Sequence, residues 1–179
     1  MFRTFRASTF MPTYILIAAN ILVYVYTSIV GGNFLQTDMR VIMLYGQVNA
    51  YVMSGWYWQL LTSMFVHVNI AHLLGNMFFL RMFGRTIEDE LQWKKYLFLF
   101  GLGAVVSGIF FMATTTKKDI PCVGASGAIS AIVGAYFLLF PKAKLRFNIV
   151  HPVTFQKLVT TQVSSLYYIL SWIIMNVFF

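Results

Sequence analysis

The chain has 179 residues, 59% of them hydrophobic and 10% charged, with 18 Phe, 10 Tyr and 10 Met, a composition too apolar for an ordinary soluble domain and fitting a multi-pass membrane protein. Thirteen Lys and Arg stand against five Asp and Glu, but these charges fall in short loops between apolar runs, so topology accounts for them and no nucleic-acid partner is expected. The lone cysteine, Cys122, excludes an internal disulfide and a multi-cysteine metal site.

Residues 1–13 carry Arg3 and Arg6 and no acid, and the first apolar run, 14–30, follows. It lacks a small-residue cleavage site and is followed by further runs of the same kind, so it is expected to remain as an anchor. Asn20 within it reads as a buried amide that joins helices. Residues 34–57 hold many aromatic and aliphatic side chains and almost no charge, which predicts a segment lying in the membrane interface.

The run 58–80, WQLLTSMFVHVNIAHLLGNMFFL, is long enough to span yet contains His67, Asn69, His72 and Asn76. Polar groups at that depth are costly and mark function by default. If the run is one helix, His72 and Asn76 lie about 40° apart on a single face, while His67 is turned roughly 140° from His72. This geometry predicts that His72 and Asn76 share a site and that His67 stands apart. A metal site would call for i,i+4 histidines or added carboxylate or thiolate ligands, and the run has neither, so no metal is expected.

Residues 81–95, RMFGRTIEDELQWKK, read as a solvated loop with ion pairs at the helix ends. A third run covers 96–112, with Gly101, Ala104 and Gly108 on a close-packing face. The fourth run, 126–140, opens on the GASG tetrapeptide of residues 124–127. Gly124 and Gly127 keep the backbone around Ser126 free of side-chain bulk, and a helix starting there aims unpaired N–H groups at the serine. That is an oxyanion site in outline, although a serine in an apolar helix more commonly just bonds a carbonyl one turn back. Fifteen helical residues cover about 22 Å of an approximately 30 Å hydrocarbon core, which sinks Ser126 below the surface. Gly127, Ala131 and Ala135 repeat every four residues and offer a smooth face for another helix.

Residues 141–157 bring Lys142, Lys144, Arg146 and Lys157 without an acid, and His151 among them reads as a loop residue. The fifth run is 163–179. The expected fold is an all-α polytopic membrane bundle forming a single domain. With the N-terminus inside, ten of the thirteen bases are cytoplasmic, and Ser126 lies near the outer face.

The order of these pieces resembles the rhomboid intramembrane serine proteases. The matching segments are GWYWQLLTSMFVHVNIAHLLGNM, FGRTIED and GASG. The resemblance implies that Ser126 is the nucleophile, that His72 and Asn76 help to hold the oxyanion, and that His67 is structural or contacts a loop. It further implies that Gly84 and Glu88 form an architectural pair. Gln59 stands where the family often has Arg, which touches loop anchoring and not the chemistry. The family's general base is a histidine on a sixth helix, so the resemblance implies that this chain holds five of six core helices. The missing helix is expected to pack on Gly127, Ala131 and Ala135, and these residues by themselves are expected to be inactive.

The implied reaction is peptide-bond hydrolysis in membrane-spanning substrates, through an acyl-enzyme, with neither metal nor nucleotide cofactor. The expected setting, from the compact form of the chain, is a bacterial inner membrane. Two other readings compete: a relative that binds membrane-protein clients without cutting them, and a small channel or transporter, which would carry ionisable residues on several spans where here the second alone does.

Overall fold

The computed structural model describes residues 11–150 and 157–178. His151, Arg3 and Arg6 lie outside the described residues. The chain divides into two compact units, Met1–Val133 and Gly134–Phe179.

The first helix, α1, Pro12–Gly31, starts on a proline whose fixed φ suits a first helical turn, and it ends at Gly32 with φ +66°. Its 20 residues reach about 30 Å. The helix is inverted relative to a soluble one. Thr13, Asn20, Thr27 and Ser28 are buried, while Leu22, Tyr26, Ile29 and Val30 are exposed. Such an arrangement is favourable only where the surroundings are themselves apolar, because there an outward polar group would be the costly one. The Asn20 amide donates to Leu16 O in its own helix at 2.8 Å, so it is not a bridge to another element.

The oily segment that follows folds into α2, Met39–Tyr45, a short strand β1, Gln47–Val48, and α3, Asn49–Met53. Asp38 caps α2 by accepting from Arg40 N at 2.8 Å. Gln59, fully buried at the start of α4, Gln59–Thr62, holds this segment in place. Its Oε1 accepts from Val48 N at 3.0 Å, and its Nε2 donates to Met43 O at 2.9 Å and Leu44 O at 3.2 Å. A neutral amide therefore does the anchoring for which the sequence offered no arginine.

The expected continuous helix over 58–80 is corrected. After α4 comes a single 3-10 turn, Ser63–Phe65, and then extended chain; the long helix α5 begins at Ile70. Two interactions stop the helix from starting earlier. Asn69 adopts an extended backbone and its side chain accepts from His72 N at 2.8 Å, a cap. The preceding residues pair with distant chain: Thr37 N donates to Val68 O at 2.9 Å, Ile70 N to Leu35 O at 3.3 Å, and Gln36 bridges Asn69.

The expected loop at 81–95 is also corrected, because α5, Ile70–Thr114, is helical through it except at Gln92, where φ is +67° and ψ 155°. The chain reverses there. Tyr96 lies twelve residues beyond Gly84, about 18 Å along a straight helix, yet a Cβ on Gly84 would sit 2.8 Å from Tyr96 Oη. The second limb therefore folds back along the first. Among the described residues, helices α1 and α5 are the two that are long and apolar enough to cross a membrane by length and composition.

The next helix, α6, Ser126–Leu139, packs its first half on the second limb of α5. A Cβ on Gly103 would lie 2.5 Å from Ala131 Cβ and 3.2 Å from Ala128 Cα, and one on Gly127 would meet the Ser107 side chain. The smooth face at Gly127 and Ala131 thus lies partly against the second limb of α5, and both residues stay half-buried. The spacing of the small residues was legible, but which of several apolar helices would fill the groove was not.

The fold is mostly helical, and the all-α expectation is corrected by two small antiparallel sheets. Strand β1 pairs with β2, Pro121–Cys122, matching Gln47 with Cys122 and Val48 with Pro121. In the second unit β3, Lys144–Val150, pairs with β4, Lys157–Ser164, so the last helix, α7, Ser165–Phe178, starts two residues later than the apolar run at 163. Ser165 N donates to Ala143 O at 3.1 Å and closes the base of this hairpin.

Candidate active site

The site is assembled from three places in the first unit: the start of α6, the N-terminal turns of α5 and the short elements before it. Gly124 has φ +111°, a conformation that L side chains rarely adopt. Its N–H donates to Ser63 O at 2.9 Å, tying the loop to the 3-10 turn. A Cβ there would fall 2.6 Å from His72 Cε1 and 2.8 Å from Nε2. The glycine is thus required twice, by its backbone angle and by the imidazole packed against it.

Two residues on, Ser126 opens α6. Ala125 and Ala128 are fully buried, and Ile129 N already donates to Ala125 O at 2.9 Å, while the earlier amides of the turn fall among those with no partner inside the helix. Ser130 Oγ bonds back to Ser126 O at 2.8 Å. Ser126 itself lines a cavity of about 30 Å³ together with Gln47, Ser63, Ser107, Gly108 and Gly127, large enough for about one water molecule by volume.

His72 and Asn76 lie buried one turn apart on α5, and Asn76 Nδ2 donates to His72 O at 3.0 Å. Among the described residues, Asn76 Oδ1 is buried with no hydrogen-bond partner. The structure brings His72 to Gly124, puts Ser126 and Gly127 on the cavity, and keeps Asn76 on the turn after His72.

His67 corrects the helical extrapolation. It precedes α5 in extended chain, its ring is buried 5.1 Å from that of His72 in an edge-on arrangement, and its carbonyl accepts from Thr37 Oγ1 at 2.6 Å. The 140° separation held only for a helix that does not exist there.

Sequence reasoning missed Gln47, Ser63 and Ser107 as neighbours of the serine. Gln47 Nε2 donates to Gly108 O at 2.8 Å and to Asn49 Oδ1 at 3.2 Å, and the residue is buried. Its signal was available: an amide in a segment that is otherwise oily. Ser107 carried a signal too, beside Gly108 on a face of small residues.

At the other end of the first α5 limb, Thr13 N donates to Glu88 Oε2 at 2.9 Å and Thr13 Oγ1 to Tyr96 Oη at 2.9 Å. Glu88, fully buried, also accepts from Arg85, which bonds Asp89 at 2.9 Å and stacks over Tyr14 at 5.9 Å. Gly84 leaves room for the Tyr96 hydroxyl. These contacts join α1 to both limbs of α5.

Comparison with known proteins identifies the family. Residues 54–179 match the family model described as the rhomboid domain. The chain is 32% identical over 124 residues to Rhomboid protease GluP of Bacillus subtilis (strain 168), covering 69% of this chain and 23% of that protein. It is 33% identical over 116 residues to RHOMBOID-like protein 12, mitochondrial, of Arabidopsis thaliana, with 56% and 34% covered. It is 28% identical over 117 residues to Rhomboid-like protease 3 of Toxoplasma gondii, with 65% and 43% covered. The chain therefore spans less than half the length of each of these relatives. With the family model matching well over half of its residues, the chain belongs to the rhomboid family of membrane proteins.

Proposed function

We propose that the protein is an intramembrane serine endopeptidase that hydrolyses peptide bonds in or near the transmembrane segments of other membrane proteins. In this reading Ser126 is the nucleophile. His72 and Asn76 hold the oxyanion together with the first amides of α6, each donor contributing roughly 3 to 4 kcal/mol in the transition state. The observation that carries the proposal is Gly124, with its positive φ, packed against the His72 imidazole two residues before Ser126, because it brings a side-chain donor to the loop that leads into that serine.

A serine hydroxyl needs a neighbouring base. Among the described residues, the cavity beside Ser126 is lined by no histidine, and the family resemblance assigns the base to a sixth helix. The reading includes five spans from this chain, the N-terminus in the cytoplasm of a bacterial cell, and Ser126 near the outer face of the inner membrane, where water and lateral substrates both have access. The distribution of bases supports that orientation.

The cavity that lacks a histidine also favours a second reading, a protein that grips membrane clients without cutting them. A serine-directed fluorophosphonate probe on the full-length protein in proteoliposomes separates the two. Labelling that disappears in Ser126→Ala supports the hydrolase; a folded sample that never labels overturns it in favour of the binder.

A further inference from the structure

Between α1 and the short elements that precede α5 lies an apolar cavity of about 240 Å³. Val23, Tyr26 and Thr27 line it from α1, Tyr45 from the end of α2, and Thr62, Phe65 and Val66 from the end of α4 and the turn after it. None of these side chains carries a charge. Neither threonine offers its proton to a ligand, because the Thr27 hydroxyl donates to Tyr24 O at 3.0 Å and the Thr62 hydroxyl to Tyr45 O at 2.7 Å. Thr27 and Val66 are buried and form the floor, whereas Tyr26 and Tyr45 are exposed and stand at the mouth.

Chemistry, size and position each narrow the occupant. Water is poorly held by such walls, since a buried water calls for several polar partners. A helix is about 10 Å across with its side chains, too thick for a space of this volume, while an apolar cavity of about 150 Å³ already admits benzene. A single hydrocarbon chain fits. The mouth also opens where such chains are found: Tyr26 shares the outward face of α1 with Leu22, Ile29 and Val30, a face that meets lipid in a rhomboid-family membrane protein. Tyr26 lies five residues before the end of α1 at Gly31, about 7.5 Å along the axis. The Tyr24 hydroxyl donates to Phe34 O at 2.9 Å and ties that end of the helix to the oily interfacial segment. A phenol suits this boundary, with its ring in hydrocarbon and its hydroxyl toward water.

We propose that this cavity is a binding site for one acyl chain of a membrane lipid, which enters between Tyr26 and Tyr45 and comes to rest against Thr27 and Val66. The chain supplies the close contacts that the lining lacks when the space is empty. Depth separates the site from ordinary lipid contact. A chain lying on the outer surface of α1 touches the exposed Leu22 and Ile29 and does not reach the buried Val66. The inference concerns a lipid and is independent of whether Ser126 cuts peptides.

The test uses the full-length protein in phosphatidylcholine nanodiscs that contain a phosphatidylcholine bearing a diazirine in one acyl chain. Irradiation followed by peptide mass mapping reports which residues the chain touches. The expected result is labelling of Val66 and Thr27 inside the cavity as well as of Leu22 and Ile29 on the outer face. Val23→Trp, which fills the cavity from α1, should abolish the labelling at Val66 and leave that at Ile29 unchanged. Leu22→Trp, one residue away on the exposed face, should leave Val66 labelled. Thr27→Leu, which fills the cavity from its floor, keeps the test decisive if Val23→Trp misfolds. Labelling confined to Leu22 and Ile29 overturns the proposal, as does labelling of Val66 that persists in both filled variants. Labelling of Val66 by a diazirine-bearing transmembrane peptide and not by the lipid also overturns it, assigning the cavity to a protein side chain.

Discussion

The two ends of the first α5 limb use buried polar groups in opposite ways. Around Glu88 the polar atoms satisfy one another: Thr13 supplies a backbone and a hydroxyl donor, Arg85 a countercharge and Tyr96 a hydroxyl. Around His72, about 24 Å earlier along a straight helix, Gly124 holds a backbone angle that glycine alone adopts readily and, among the described residues, Asn76 Oδ1 is buried without a partner. A closed network adds rigidity, whereas an open one is tolerated where a reacting group will complete it. On the proposed function, the contrast separates a cluster that holds the fold together from one arranged for chemistry.

Substitutions can break that contrast. The largest expected effect is Glu88→Ala, which strips the buried partner from Arg85 and leaves the Thr13 N–H unmet. It should cost about 3 to 5 kcal/mol in a detergent unfolding titration, while the activity per folded molecule stays close to normal. Next is Asn76→Ala, where the balance reverses: turnover of a membrane-anchored reporter should fall about 100-fold with a melting temperature near that of the parent. If Asn76→Ala instead unfolds the protein at unchanged specific activity, the two ends do not differ in kind. Gln59→Ala removes partners from three backbone groups of the interfacial segment, and should cost about 2 kcal/mol, detected as faster proteolysis between α2 and α3. The smallest effect belongs to Tyr96→Phe, which loses one hydroxyl contact with Thr13 and should lower stability by about 1 kcal/mol with no kinetic consequence.

The sequence carried the local chemistry well. The glycines flanking Ser126 and the four-residue step from His72 to Asn76 were readable because each depends on neighbours within one turn. What escaped was set by partners far away in the chain. His67 was extrapolated onto a helix because hydropathy over 58–80 is continuous, yet Leu35 and Thr37 compete for that backbone and Asn69 caps the helix behind it. The reversal at Gln92 had no glycine to announce it. Gly127 and Ala131 advertised a groove without naming the helix that fills it, and the filler was Gly103 and Ser107. In β3 the alternation of Leu145, Phe147 and Ile149 with Lys144, Arg146 and Asn148 was present all along.

The hairpin turn at Gln92 has a practical consequence. Thr13 touches Glu88 on one limb and Tyr96 on the other, so the polar clasp straddles the bend instead of depending on it. A gene split at that point should yield two polypeptides that recognise each other when co-expressed in one cell, the first carrying Thr13 and Glu88 and the second contributing the phenol. Reassembly of such halves, scored by co-purification, would turn a structural clasp into a tool for switching the protein on by bringing its pieces together.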